Sequence, residues 1–259
     1  MSFLNRMMAS VGIGSARIDT RLNNAQVRAG EDLEGVVVVH GGSLDQQVDS
    51  LSLHLVTLYN REVNDRRVRE SFTLAKARIS DGFSLQAGET CHFPFRFPLP
   101  DSTPVTAGST RVWLKTGADI PLAVDPSDTD ELFVLPHRHS QVILDAVESL
   151  GFRLRQADCE FTHRLGRHFP FVQEFEFVPT AGRYRGRLDE LEVVLWPHGR
   201  GVDALLEIDR RARGFGGFLE AAFDADESRV MVEFGPEHMA AGPADAARHL
   251  NDLLARYTR

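Results

Sequence analysis

The stretch Cys91-His92-Phe93-Pro94-Phe95-Arg96-Phe97-Pro98-Leu99 decides the fold class of this chain. Its odd-numbered residues are apolar, whereas its even-numbered residues are polar or proline. This period of two is typical of a strand with one buried face. Because proline cannot donate a hydrogen bond to a neighbouring strand, Pro94 and Pro98 indicate a sheet edge or a bulge. We therefore predict an edge strand whose phenylalanines point into the core.

The same alternation extends through the N-terminal half of the chain. It occurs in residues 16–22 and 51–55, and glycine-containing turns at Gly30, Gly41-Gly42 and Gly88 separate the runs. Short strands that follow one another without intervening helices are typical of a β-sandwich. We predict a β-sandwich domain over residues 1–137 that also carries a short N-terminal helix.

The period changes after Pro136. Ile143, Val147 and Leu150 share one helical face, Ser140 is the candidate N-cap and Gly151 the candidate stop, so we predict a connecting helix at residues 138–150. Strand alternation then resumes in the ranges 171–177, 191–195, 202–208 and 230–234, and a final amphipathic helix follows Pro243. The prediction is a second, β-rich domain over residues 138–259 and a mainly β chain overall.

Composition and charge exclude several functional classes. The 259 residues are 42% hydrophobic and 25% charged, which is ordinary for a globular protein. A net charge of −8 opposes attraction to phosphate backbones, so we expect no nucleic-acid partner. Two cysteines, Cys91 and Cys159, are too few for a disulfide framework and fit a reducing cytoplasm. No apolar run is long enough to span a bilayer, so we expect no integral membrane segment.

Several stretches begin like reaction centres but do not complete one. Asp224–Ser228 starts like a calcium loop, yet Arg229 stands where that loop needs glycine, and Gly235 stands where it needs a bidentate glutamate. The acidic run Asp125, Asp128, Asp130 and Glu131 is predicted to be a solvated loop, and the histidine pairs His137/His139 and His163/His168 lack zinc spacing. We expect no catalytic residue, no metal and no cofactor.

A basic segment is the best candidate for specific binding. Arg210, Arg211 and Arg213 precede Gly214, and the backbone N–H groups of a glycine-rich loop could surround an anion or an acidic partner group. The structural alternative is a hairpin or crossover loop packed by neighbouring phenylalanines. A second basic cluster, made of Arg61, Arg66, Arg67 and Arg69, is predicted to lie at a protruding, solvated hairpin end.

The N-terminal segment has one apolar helical face. Phe3, Leu4, Met7 and Met8 recur at spacings of three and four residues. Such a face docks on its own protein in the simplest interpretation, and contact with a partner or a membrane surface is the alternative.

The chain resembles the bacterial SpoOM family of sporulation-control proteins. The resemblance rests on the opening Met1-Ser2-Phe3, on Val27-Arg28-Ala29-Gly30-Glu31, on Gln173-Glu174-Phe175-Glu176-Phe177, and on the basic run 209–214 followed by Gly216-Gly217. It implies an arrestin-like fold of tandem β-sandwich domains. It also implies a non-enzymatic regulator or adaptor that acts through protein partners.

We therefore predict a cytoplasmic regulatory or adaptor protein that binds protein partners of unknown identity. A membrane-peripheral module that uses the N-terminal segment is the first alternative. An enzyme of unrecognised type is the second, and homodimer formation is left open.

Overall fold

A computed structural model describes residues 15–121, 124–209 and 229–257. The first strands are β1 (Arg17–Leu22), β2 (Gln26–Arg28), β3 (Asp32–His40), β4 (Gln46–Val48), β5 (Ser50–Val63), β6 (Arg66–Ser80), β7 (Phe83–Leu85), β8 (Thr90–Pro98), β9 (Val112–Asp119) and β10 (Ser127–Leu135). Those that follow are β11 (Phe152–Phe161), β12 (Phe171–Pro179), β13 (Glu190–His198), β14 (Gly201–Asp209) and β15 (Arg229–Phe234). The helices are α1 (Arg138–Ser149), α2 (Pro236–Ala241) and α3 (Pro243–Tyr257). The predicted mainly β class, with a helix between the two halves and a C-terminal helix, is confirmed.

The described residues divide into two compact units. The first takes in the described parts of Met1–Thr57, Phe72–Pro100 and Arg111–Val134. The second takes in those of Leu58–Ser71, Asp101–Thr110 and Leu135–Arg259. The division of the chain at residue 137 into independently folding domains stays a prediction.

The first unit contains two antiparallel layers. One sheet has the strand order β1-β3-β8, and the other has the order β5-β9-β10-β2. Thr20 of β1 donates a buried hydrogen bond of 2.7 Å to Thr116 of β9 and so joins the layers. Alternate residues such as Val37, Leu53 and Leu114 are fully buried, as the period of two predicts.

The strand that decides the fold lies where the sequence places it. In the described sheet, β8 is at the end and pairs with β3, with Phe97 opposite Leu33. Phe95 is 8% exposed and Phe97 2% exposed, so the phenylalanine face is the buried one. The N–H of Leu99 donates to the carbonyl of Glu31. The backbone N–H groups of the odd-numbered residues therefore point toward β3. The two prolines are even-numbered, so they remove N–H groups only from the outer edge of the sheet.

The second unit is a five-stranded antiparallel sheet with helices on one face. Its strand order is β11-β12-β13-β14-β15, in sequence order throughout. Phe175, Phe177 and Leu206 pack with Ile143 of α1 and Leu250 of α3 in one core cluster. The helix α1 is thus part of this core as well as a connection. The other face of the sheet carries the charged residues described below.

The cap of α1 and the acidic run differ from the predictions. His137 is the N-cap, and its Nδ1 accepts a hydrogen bond from the N–H of His139, whereas Ser140 is buried within the first turn. The helix begins before Ser140, so the predicted Ser140 cap is wrong. Gly151 has φ of 94° and ends the helix as predicted. The predicted solvated acidic loop is also wrong at its second half, because Asp128 and Asp130 belong to β10.

Candidate functional site

The sheet of the second unit has helices on one face, and its opposite face is dominated by carboxylates. Glu176 of β12 lies directly opposite Glu192 of β13, which in turn lies opposite Glu207 of β14. Like charges placed opposite each other on neighbouring strands are destabilising. We call this surface the carboxylate face, and it comprises Asp158, Glu160, Glu174, Glu176, Glu190, Glu192 and Glu207.

Arginine side chains balance the two ends of the row. Arg155 pairs with both Glu176 and Glu190, the latter at 2.6 Å. Arg229 pairs with Glu207 at 2.9 Å. These ion pairs are largely buried on the acid side, where each of the three glutamates is less than a tenth exposed.

The two carboxylates that β11 contributes to this face, Asp158 and Glu160, also have hydrogen-bond donors. Glu160 accepts a hydrogen bond of 2.7 Å from Asn60 and pairs with Arg67. Asp158 accepts hydrogen bonds from Ser109 and Gln156. Each of these two acids therefore has donors from neighbouring strands or loops of the same unit.

Glu174 and Glu192, which we call the central pair, form no ion pair within the described ranges, whereas Glu176, Glu190 and Glu207 do. Glu174 Oε1 and Glu192 Oε2 are buried and have no hydrogen-bond partner among the described residues. Burial, followed by the charge of Glu192, raises the pKa of Glu174 well above its ordinary value. Burial, followed by the charge of Glu207, raises the pKa of Glu192 to about 7. The pair therefore holds protons that ordinary surface glutamates have lost at neutral pH.

An apolar patch borders the central pair on the same face. Val172, Val194, Trp196 and Leu205 form a buried cluster, and Leu165 packs against it. Val194 is directly opposite Glu174 in the sheet register. Because apolar neighbours exclude water, charge interactions at the central pair are stronger than at an open surface.

A small pocket in the second unit shares Trp196 and Val172 with this apolar patch. Its cavity volume is about 60 Å³, and its walls include His137, Gln173, Arg167 and Trp196. Arg167 lies over the Trp196 ring, 4.6 Å from its centroid, and also pairs with Asp203. Ligand pockets commonly occupy about 300 to 1,000 Å³, so this cavity has room for a small group and not for a nucleotide cofactor.

The binding residues predicted from the sequence lie outside the described part of the chain. This applies to the anion-binding candidates Arg210, Arg211, Arg213 and Gly214, and to the N-terminal contact candidates Phe3, Leu4, Met7 and Met8. Both assignments stay predictions. In the described ranges, no helix is long and apolar enough to cross a membrane.

His137, His139 and Cys159, which the sequence analysis singled out, have structural roles. His137 caps α1, and His139 Nδ1 lies 2.9 Å from the carbonyl of His198 and 3.0 Å from that of Gly201. Both cysteines are unpaired thiols. Burial raises the pKa of Cys159, so this thiol is protonated and unreactive. Among residues 15–121, 124–209 and 229–257, no group of three His, Cys, Asp or Glu side chains could hold a metal.

The second basic cluster is at a hairpin, as predicted. Asn64 and Asp65 have positive φ and form the turn between β5 and β6. Two of its four arginines contact other groups, however. Arg61 lies over the Phe161 ring, 4.5 Å from its centroid, and Arg67 pairs with Glu160 of the carboxylate face. The hairpin end thus contributes to the charge balance of the second unit.

Comparison with known proteins places the chain in a family. Residues 4–212 match the family described as SpoOM protein. The chain is 42% identical over 257 residues to "Sporulation-control protein spo0M" of Bacillus subtilis (strain 168), with 99% of each sequence covered. It also matches the crystal structure of Spo0M, sporulation control protein, from Bacillus subtilis. That match has a TM-score of 0.88 and 40% identity, and it covers 95% of this chain and 100% of the other. This homology supports a regulatory role, and the chain belongs to the SpoOM family.

Proposed function

We propose that this protein is a non-enzymatic cytoplasmic regulator that acts by binding protein partners in the control of sporulation or of a related cell programme. The observation that carries the proposal is the whole-length relationship to a protein named for sporulation control. Because the alignment covers both chains almost completely, the relationship includes both compact units and not a shared module alone.

The side chains that sequence analysis considered for chemistry support a binding role. The Nδ1 atoms of His137 and His139 lie against backbone groups, His137 Nε2 lies 4.0 Å from Asp101 Oδ1, and Cys159 is a buried thiol. A buried, protonated thiol is a poor nucleophile, and a histidine used as a helix cap is not positioned as a general base. These features favour a scaffold that presents surfaces to partners.

The outer edge of β8 is an unfavourable place for strand addition. Its outward-facing positions include Pro94 and Pro98, which have no N–H to offer an added strand. A partner that pairs its backbone with this edge would lose those hydrogen bonds. This consideration favours partner contacts through side chains and loops.

Replacement of the Bacillus subtilis relative tests the regulatory role. The gene for this chain is expressed in a strain that lacks its own Spo0M, and heat-resistant spores are counted. We expect spore numbers to return toward those of the parent strain, and we expect Phe95→Ala, which weakens the core, to restore fewer. The proposal would be overturned if spore numbers stayed at those of the strain that lacks Spo0M while the folded chain was present at the relative's own level.

A further inference from the structure

The small pocket of the second unit has apolar walls and opens beside basic segments. Its volume is about 60 Å³, which is more than one water molecule needs and less than a drug-sized ligand needs. Phe171 and Trp196 are buried in its walls, whereas Val105, Phe169 and Leu195 are half-buried. Because these half-buried residues are apolar, the wall nearest the surface is apolar as well. A single side chain is the occupant that fits this size.

The polar groups in the walls already have partners. The Gln173 amide accepts a hydrogen bond of 2.7 Å from the N–H of Val105 and donates one of 2.8 Å to its carbonyl. His137 Nδ1 accepts from the N–H of His139. Among the described residues, no side chain that lines the pocket has a buried polar atom without a partner. A polar group that entered would lose its water without replacement, so the pocket favours an apolar group.

Three segments beside the pocket contain arginine and histidine and no acidic residue. We call them the basic rim, and they are 137–139 at the start of α1, 162–170 between β11 and β12, and 198–201 at the turn between β13 and β14. The arginines of the basic rim are Arg138, Arg164, Arg167 and Arg200.

Contacts within the second unit bring the three segments together. His137 of the first segment and Arg167 of the second both line the pocket. His139 Nδ1 lies 2.9 Å from the carbonyl of His198, so the third segment lies against the first. The basic rim is therefore one continuous feature around the pocket.

Two aspartates accompany the basic rim. Asp203 pairs with Arg167, and Asp101 Oδ1 lies 4.0 Å from Nε2 of His137. The four arginines of the rim outnumber them, although the chain as a whole has a net charge of −8. The surface around the pocket is thus positive and attracts a negatively charged ligand.

We propose that the pocket and the basic rim together bind an acidic segment of a protein partner, and that one aliphatic side chain of this segment enters the pocket. The aliphatic side chain supplies affinity because it leaves water for a closely packed apolar site. Its acidic neighbours pair with the basic rim and so orient the segment. The inference rests on the proposed function, because it names the chemistry of a protein partner.

Other anionic ligands match only part of this arrangement. A small inorganic anion would be attracted by the basic rim but would lose its water on entering the apolar pocket. A nucleic acid would match the charge of the rim but has no aliphatic side chain for the pocket. An acidic peptide segment offers both the charge and the apolar group.

Fluorine NMR tests the proposal, because the chain has two tryptophans. Trp196 lines the pocket, and Trp113 belongs to β9 of the first unit. In the full-length chain labelled with 5-fluorotryptophan, the Trp196 signal therefore reports on the pocket and the Trp113 signal is the internal control.

The probes are acetylated, amidated pentapeptides with the sequence aspartate-glutamate-X-glutamate-aspartate, in which X is valine, leucine or serine. We expect the valine or the leucine peptide to shift the Trp196 signal saturably and to leave the Trp113 signal in place. The serine peptide should bind at least tenfold more weakly, because its hydroxyl has no partner in the pocket. Added salt should weaken binding of all three peptides.

A pair of double variants tests the role of the basic rim. R164Q/R200Q removes two exposed arginines of the rim and should weaken binding at least fivefold. The matched control, R185Q/R187Q, removes the same charge from two exposed arginines that follow the other end of β12, and it should change affinity less than twofold.

Three results would overturn the proposal. They are equal weakening in both double variants, equal affinity for the aliphatic and serine peptides, and a Trp196 signal that responds to phosphatidylglycerol vesicles but to no peptide. The comparison of peptides uses the unaltered chain, so it needs no variant to fold. A chain that restores sporulation but fails this test would overturn this inference alone.

Discussion

Removal of one charge from the carboxylate face should stabilise the protein at neutral pH. The change is Glu192→Gln, which keeps the size of the side chain and its polar atoms but cannot ionise. Glu192 lies between Glu176 and Glu207 in the sheet register, and one of its oxygens is buried without a hydrogen-bond partner among the residues that the structure describes. The ionised form is therefore the unfavourable one in the folded state.

The size of the effect follows from the two protonation equilibria. The Glu192 carboxyl has a pKa of 4.5 in the unfolded chain and about 7 in the fold. Below 4.5 both states are protonated and the folded state has no penalty. As the pH rises from 4.5 to about 7, only the unfolded state ionises, and up to about 3 kcal/mol of stability is lost. Glutamine avoids this loss.

Thermal melts at about pH 4 and about pH 8 measure the effect. We expect E192Q to melt about 5 to 10 °C above the wild type at the higher pH and close to it at the lower. Glu233→Gln, an exposed glutamate on β15, is the control and should change stability by less than about 0.5 kcal/mol. An E192Q protein that melts at or below the wild type at about pH 8 would refute the reasoning.

Other changes test separate parts of the structure, each by urea or thermal unfolding. Phe95→Ala should lower the free energy of unfolding by about 3 to 5 kcal/mol, and an unchanged melting curve would show that the other face of β8 is the buried one. His137→Ala should remove about 1 kcal/mol with the α1 cap, whereas His137→Asn should retain it; equal losses would argue against the cap. Gly108→Ala should destabilise by more than about 1 kcal/mol, because φ is +55° and a Cβ would lie 2.5 Å from the Ala157 nitrogen. If residue 137 divides two folding domains, residues 138–259 alone should unfold cooperatively; an unfolded fragment would contradict that division.

The local pattern of the sequence predicts the fold class because burial and strand period are coupled. The residues 91–99 alternate strictly, and two prolines limit the strand to an edge, so both its buried face and its place in the sheet follow. The cap of α1 was mispredicted because serine is a common N-cap and histidine is not. That the helix begins at Arg138, before Ser140, is seen only in the structure.

The carboxylate face could not be predicted because it depends on register. The sequence shows the alternation of glutamate and phenylalanine in 173–177, and the ordinary interpretation of such glutamates is a solvated strand face. Whether Glu192 faces Glu207 depends on how β13 and β14 align, and a shift of one residue would separate them. Three glutamate-bearing strands in succession are the signal that could have drawn attention to this face.

The measurement that tests the central claim most directly is affinity capture of the full-length chain with cross-linking, in cells that express it naturally. Proteins identified by mass spectrometry are purified, and their binding to the chain is measured in solution. The account predicts at least one partner that binds saturably and is recovered far above the amount retained by the affinity tag alone. A folded chain that retains no such partner would contradict the claim that this protein acts by binding other proteins.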